Sequence, residues 1–246
     1  MVRKSLILFV LIMVLALSSA HPAFARTQGE KPASVYVVHG IPGKDLNLDP
    51  ALPVDISVGE ACALQGFTFG EIAGPVALPA GSYNIAIRLA NAGTPCANAP
   101  VLQGTFHFAA GENASVVAHL TAAGAPTAAK FPIDFSKFYA SRLRVIAHHT
   151  AAAPAVDIRF IRQELVEDRL SARRLRNVSN GMSGSVVMRP GTWNITLAPV
   201  ADPRTRIGPI TLNLEANTVY LAYAVGSLQS GTFTLLTKAI PMGARK

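Results

Sequence analysis

Two stretches of this chain are written twice, and that repetition limits its fold more than any other feature. The segment Gly74 to Ile85 (GPVALPAGSYNI) returns 110 positions later as Gly184 to Ile195 (GSVVMRPGTWNI). Both glycines, the aromatic position, the Asn and the Ile coincide without a gap. Thr105 to Gly111 (TFHFAAG) returns 106 positions later as Thr211 to Asn217 (TLNLEAN). Asn217 in place of Gly111 fits a turn, because both residues tolerate the left-handed backbone. The openings agree as well. Ser34–His39 (SVYVVH) leads to Pro53-Val54-Asp55, and Leu143–His148 (LRVIAH) leads to Pro154-Ala155-Val156-Asp157. The loop between His and Asp is longer in the first copy, as expected where surface loops absorb insertions and core strands do not. The repeats therefore run 33–125 and 141–240, with a linker at 126–140.

Each copy reads as a series of short apolar runs broken by turn residues. Gly (19) and Pro (17) are spread through the whole chain. Tyr83, Ile85, Ile87 and Leu89 alternate with other residues, the period of a strand with one buried face. With no long helical period between the runs, the pattern predicts an all-β fold of two tandem antiparallel β-sandwiches rather than βαβ units.

The first 25 residues stand apart. Arg3 and Lys4 precede an apolar run from Leu6 to Ala20, and Ala23-Phe24-Ala25 offers a small-x-small cleavage site. This is the pattern of a signal peptide cut near Ala25; the run is short for a spanning helix, which needs roughly 20 apolar residues. The mature chain is expected outside the cytoplasm, periplasmic or secreted, with no transmembrane segment. Cys62 and Cys96 suit an oxidising compartment and are expected to form a disulfide. A redox or metal pair is the alternative, without the CxxC spacing such sites favour.

These residues resemble a bacterial secreted family known as the domain of unknown function 4397 family. The resemblance rests on Val37-Val38-His39, Pro53-Val54-Asp55, Leu78-Pro79-Ala80-Gly81-Ser82-Tyr83 and Ala110-Gly111 in the first copy. In the second it rests on His148, Pro154-Ala155-Val156-Asp157, Pro190-Gly191-Thr192-Trp193 and Ala216-Asn217. The resemblance implies an exported or surface protein with an immunoglobulin-like or transthyretin-like sandwich, often in tandem, and no known reaction.

Two constellations could carry chemistry. His39 with Asp55, and His148 with Asp157, could orient a general base or ligate a metal. No nucleophile elbow or HExxH helix accompanies them. A pair kept in both copies while surfaces diverge also reads as a requirement of the fold. No cofactor is implied. The second constellation is charge. Residues 26–140 hold six Lys and Arg against eight Asp and Glu, whereas residues 141–246 hold fourteen against six. The excess peaks at Arg159, Arg162, Arg169, Arg173, Arg174 and Arg176. Arginine recognises carboxylate and phosphate through paired donors, so an anionic envelope polymer, lipid headgroups or an acidic surface protein are candidate partners. Phe160 alone supplies an aromatic in this stretch, which argues against specific nucleic-acid binding. The reading is an exported, non-enzymatic binding or scaffold module. One alternative is a His/Asp metal-binding or hydrolytic protein. The other is electrostatic attachment through the second copy.

Overall fold

The computed structural model describes residues 30–163 and 172–243. The N-terminal segment 1–25 and Arg169 lie outside that range. The regular elements of the described residues are β-strands, with a 3-10 turn at Gly43–Leu46.

The first copy contributes β1 (Ala33–His39), β2 (Val54–Val58), β3 (Ala61–Phe67), β4 (Ile72–Leu78), β5 (Gly81–Leu89), β6 (Leu102–Phe108), β7 (Asn113–Leu120) and β8 (Pro126–Pro132). The second contributes β9 (Leu143–His149), β10 (Val156–Arg162), β11 (Ala172–Val178), β12 (Met182–Met188), β13 (Gly191–Pro199), β14 (Ile207–Leu214), β15 (Thr218–Val225) and β16 (Thr234–Pro241). The sheet orders are β4-β1-β7-β8 and β3-β2-β5-β6 in the first, β12-β9-β15-β16 and β11-β10-β13-β14 in the second. The same topology thus occurs twice. Two expectations need correction. The β1–β7 and β9–β15 pairs are parallel, so neither sandwich is wholly antiparallel. Residues 126–132 are not linker but strand β8, paired along its length with β7. A closing strand poor in alternation and flanked by Pro126 and Pro132 reads as a connector in sequence, yet Pro is acceptable at a sheet edge.

The repeated motif has a physical cause. Tyr83 donates its hydroxyl to the carbonyl of Pro79 at 2.9 Å, and Trp193 donates its indole N–H to the carbonyl of Arg189 at 3.0 Å. In both copies an aromatic at the head of the central strand reaches back four residues and fixes the Pro-containing turn. Trp193 is also fully buried, so its polar edge needs that partner.

Alternating positions build the three large cores of the described residues. Val35, Ile56, Ile87 and Phe108 fill the first sandwich. Val145, Phe160, Trp193 and Leu214 fill the second. The third core lies between the copies, where Tyr36, Val38, Val117 and Phe131 of the first meet Ile146, Leu221, Tyr223 and Val225 of the second. The inner sheets therefore pack against each other, giving four sheets in series. Strands β7 and β15 are buried on both faces, which is why they read as nearly unbroken apolar runs. Gly40 is part of this joint: a Cβ there would sit 2.8 Å from Val225 Cγ1. The segment after β8 is also tied down. Arg144, buried in β9, forms a 2.7 Å ion pair with Asp134 and donates to the Asp134 carbonyl.

Candidate functional site

The His–Asp pairs do not meet. His39 lies at the end of β1 and donates from Nε2 to the Leu52 carbonyl at 2.9 Å, while its Nδ1 faces the Ile41 amide at 3.4 Å. Asp55 is buried and accepts from the amides of Gly66 (3.0 Å), Asn91 (3.1 Å) and Cys96 (2.9 Å). Burial alone would raise its pKa. The three amide donors, with Arg88 nearby, outweigh that and hold it below the usual carboxylate range.

In the second copy the strand pairing corrects the expected histidine. His39 stands opposite Ala118 in the β1–β7 ladder, and His149 stands opposite Ala224 in the β9–β15 ladder. Gly40 N–H donates to the Ala118 carbonyl, as Thr150 N–H does to that of Ala224. The counterpart of His39 is therefore His149, one residue beyond His148. It makes the counterpart bond, from Nε2 to the Pro154 carbonyl at 3.0 Å. Asp157 accepts from the Asn177 amide at 2.8 Å, matching Asp55 with Gly66. Gly66 and Asn177 are both left-handed, with φ of 59° and 51°, each at a bulge in the outer sheet. The shared work of the Asp is thus to hold that bulge, and the shared work of the His is to hold the loop before the second strand.

His148 points to the opposite face, into the joint. It shares a 2.6 Å hydrogen bond with the Ser183 hydroxyl and stacks on Tyr223 at 4.7 Å between ring centroids. Burial drives its pKa down to about 4. His119 is buried there too, beside Phe131 at 5.9 Å. Among the described residues, no three His, Cys, Asp or Glu side chains converge to hold a metal.

What differs between the copies is the second oxygen of each Asp. In the first copy Asp55 Oδ2 takes the two loop amides from Asn91 and Cys96. Cys62 and Cys96 are bonded to each other, bracing the same loop. The closed loop of about 35 residues corresponds to roughly 3–4 kcal/mol of stabilisation in the chain-entropy picture. Replacing both cysteines with serine is expected to lower unfolding free energy by about that amount. Urea denaturation of the variant beside the oxidised wild type checks it; an unchanged midpoint would contradict it.

In the second copy Asp157 Oδ2 instead pairs with Arg174. Arg174 stands directly opposite Arg159 across the β10–β11 ladder, and Thr196 is the partner of Arg159 on its other side. Arg206, from the loop before β14, completes a depression of about 180 Å³ with Asp157, Arg159, Arg174 and Thr196. Arg176 is exposed on the same strand as Arg174. Arg162 and Arg173 do not join this group. Arg162 lines a separate hollow with Arg142 and Arg189 at another part of the second copy. Arg173 bonds to the Ala172 carbonyl. Arg206 escaped sequence reasoning because it lies thirty residues beyond the Arg-rich strand; only the β13–β14 hairpin brings it back.

No protein of curated function matches the chain by sequence. Among solved structures, a candidate cell adhesion protein of Bacteroides ovatus aligns over 88% of this chain and 99% of its own, with 8% identity and a TM-score of 0.25. A candidate cell adhesion protein of Bacteroides uniformis aligns over 86% and 99%, with 9% identity and a TM-score of 0.29. The TIE protein of Bacillus anthracis aligns over 80% of this chain and 34% of its own, with 10% identity and a TM-score of 0.23. The profile of the domain of unknown function DUF4397 matches residues 33–159, just over half of the chain, from β1 through the first strands of the second copy. The chain belongs to the DUF4397 family.

Proposed function

We propose that this protein is an exported, non-enzymatic binding module that attaches to a phosphate-bearing polyanion through the outer sheet of its second copy. The observation that carries the reading is the Arg159–Arg174 pair with Arg206 beside it. Like charges directly opposite on neighbouring strands are destabilising. Asp157 offsets one of the three, and an anion seated among them would offset the rest with charge-assisted, paired hydrogen bonds. Export is supported by the segment 1–25 and by the Cys62–Cys96 disulfide, a bond favoured in oxidising compartments. A non-enzymatic role is supported by the engagement of His39, His149, Asp55 and Asp157 with backbone groups, which gives each a structural duty.

Polyphosphate and phosphatidylglycerol vesicles present the same chemistry from two sources, a soluble polymer and a lipid surface. Mature protein is expected to bind at least one of them at low salt and to release it as salt shortens the screening length to below about 10 Å. The double variant Arg159→Gln/Arg206→Gln, which leaves the Arg174–Asp157 pair in place, is expected to bind at least about tenfold more weakly, since the loss of even one charged hydrogen-bonding group is on that scale. Binding to both probes that ignores salt and the substitutions would refute the proposal, as would a lack of binding to either.

A further inference from the structure

The first copy carries a cavity of about 130 Å³ between its sheets, at the His39 end; the space between the sheets of the second copy is about 40 Å³ and runs from His149 along the core to Phe160, Leu214 and Tyr220. The difference is traceable to sequence. Sixteen positions separate His39 from Asp55, and eight separate His149 from Asp157. The extra length in the first copy supplies Ile41, Leu46, Leu48 and Leu52 as one wall of the cavity. Leu89 and Val101, at the two ends of the disulfide-braced loop, belong to the other.

Each wall is held from below. His39 fixes the Leu52 carbonyl, and Asp55 fixes the Asn91 and Cys96 amides. Asp45, in the longer loop, accepts hydrogen bonds from Thr232 (2.7 Å) and Ser230 of the second copy. The loops are thus preorganised around the opening, which lowers the cost of filling it. Leu48, Leu89 and Val101 stand 45%, 38% and 56% exposed, and all three line this one cavity. Its lining is aliphatic except for His39, whose two ring nitrogens already face Leu52 and Ile41. Nothing inside is left to recognise a polar or charged group, so only the apolar part of a ligand can enter, and its polar end must stay in water at the mouth.

We infer that this cavity binds the aliphatic chain of a monomeric, single-chain amphiphile, head group outward, between the 40–52 and 90–101 loops. The site is separate from the arginine face and does not depend on it.

Titration calorimetry with a series of linear alkanoates and alkan-1-ols, each below its micelle concentration, tests the inference. Affinity should rise about fourfold per methylene, as apolar burial predicts, and then level off at the chain length the cavity holds. Alkanoate and alkanol of equal length should bind alike. The Leu48→Asp/Val101→Asp variant changes two exposed positions, so its melting temperature should match the wild type while affinity falls at least about tenfold. The Arg159→Gln/Arg206→Gln variant should bind the chains normally, which separates this test from that of the arginine face. Absence of saturable binding, affinity that rises without a plateau, or adsorption to phospholipid vesicles without binding of monomeric chains would each overturn it.

Discussion

Unfolding free energy is expected to fall on the order of 3 kcal/mol between pH 7 and pH 4 from His148 alone, with His39, His119 and His149 adding to the loss. All four rings are buried. In each the leading cause of the lowered pKa is desolvation of the charged form, and for His148 the value comes down from 6.5 to about 4. A buried base with a depressed pKa refuses the proton that the unfolded chain accepts. Well above pH 6.5 neither state is protonated and stability is full. From there down to about pH 4 the unfolded state gains protons and the native state does not, so stability drops with pH. Below that window the carboxylates continue the trend, because Asp55 also has a depressed pKa and loses its advantage as it protonates. Denaturant titrations at pH 7.5, 5.5 and 4.5 measure the slope. His148→Phe keeps a ring beside Tyr223 and removes the titrating group, so its slope should be shallower. A wild type equally stable at pH 7.5 and 4.5 would contradict the prediction.

The histidines also show how far the sequence could be read. The repeat, the sandwich class and the disulfide all follow from spacing and composition, because strand period, turn residues and cysteine count are local properties. The one-residue error in the second copy came from a doublet. Either His148 or His149 satisfies a pattern that ends in His, but side chains one apart on a strand face opposite ways. Only the ladder pairing with β15 decides that His149 holds the loop and His148 enters the joint. The Asp duty was hidden for a related reason. Its partners Gly66, Asn91 and Cys96 lie 11, 36 and 41 positions away, and they donate backbone amides, which leave no trace in side-chain identity.

The joint itself was hidden in plain sight. Val219, Leu221, Tyr223 and Val225 read as one face of an ordinary sandwich strand, and the sandwich needs only Tyr220 and Ala222 from the other. A strand apolar on both faces says that something covers it twice, but sequence does not say what. Here each copy covers the other. The consequence is energetic. Two sandwiches on a free tether would unfold independently, whereas two that share a core lose it together.

Leu221→Asp should therefore disrupt both copies. Leu221 is fully buried in the shared core. A carboxylate there has no water to solvate it, and the surrounding Val38, Val117 and Tyr223 side chains offer an apolar setting. Burying such a group without a partner belongs to the small class of substitutions expected to cost more than about 4 kcal/mol, a large fraction of typical domain stability. Asn213→Asp, on the exposed side of β14, introduces the same charge and should change stability by less than about 0.5 kcal/mol. Trp193 fluorescence reports the second copy, and hydrogen exchange at the Val116 and Ile87 amides reports the first. In the wild type the two probes should give one coincident transition. In Leu221→Asp both should shift together. Loss of protection confined to the second copy, with the first copy unaltered, would mean that the copies stand alone and that the shared core contributes little to the first.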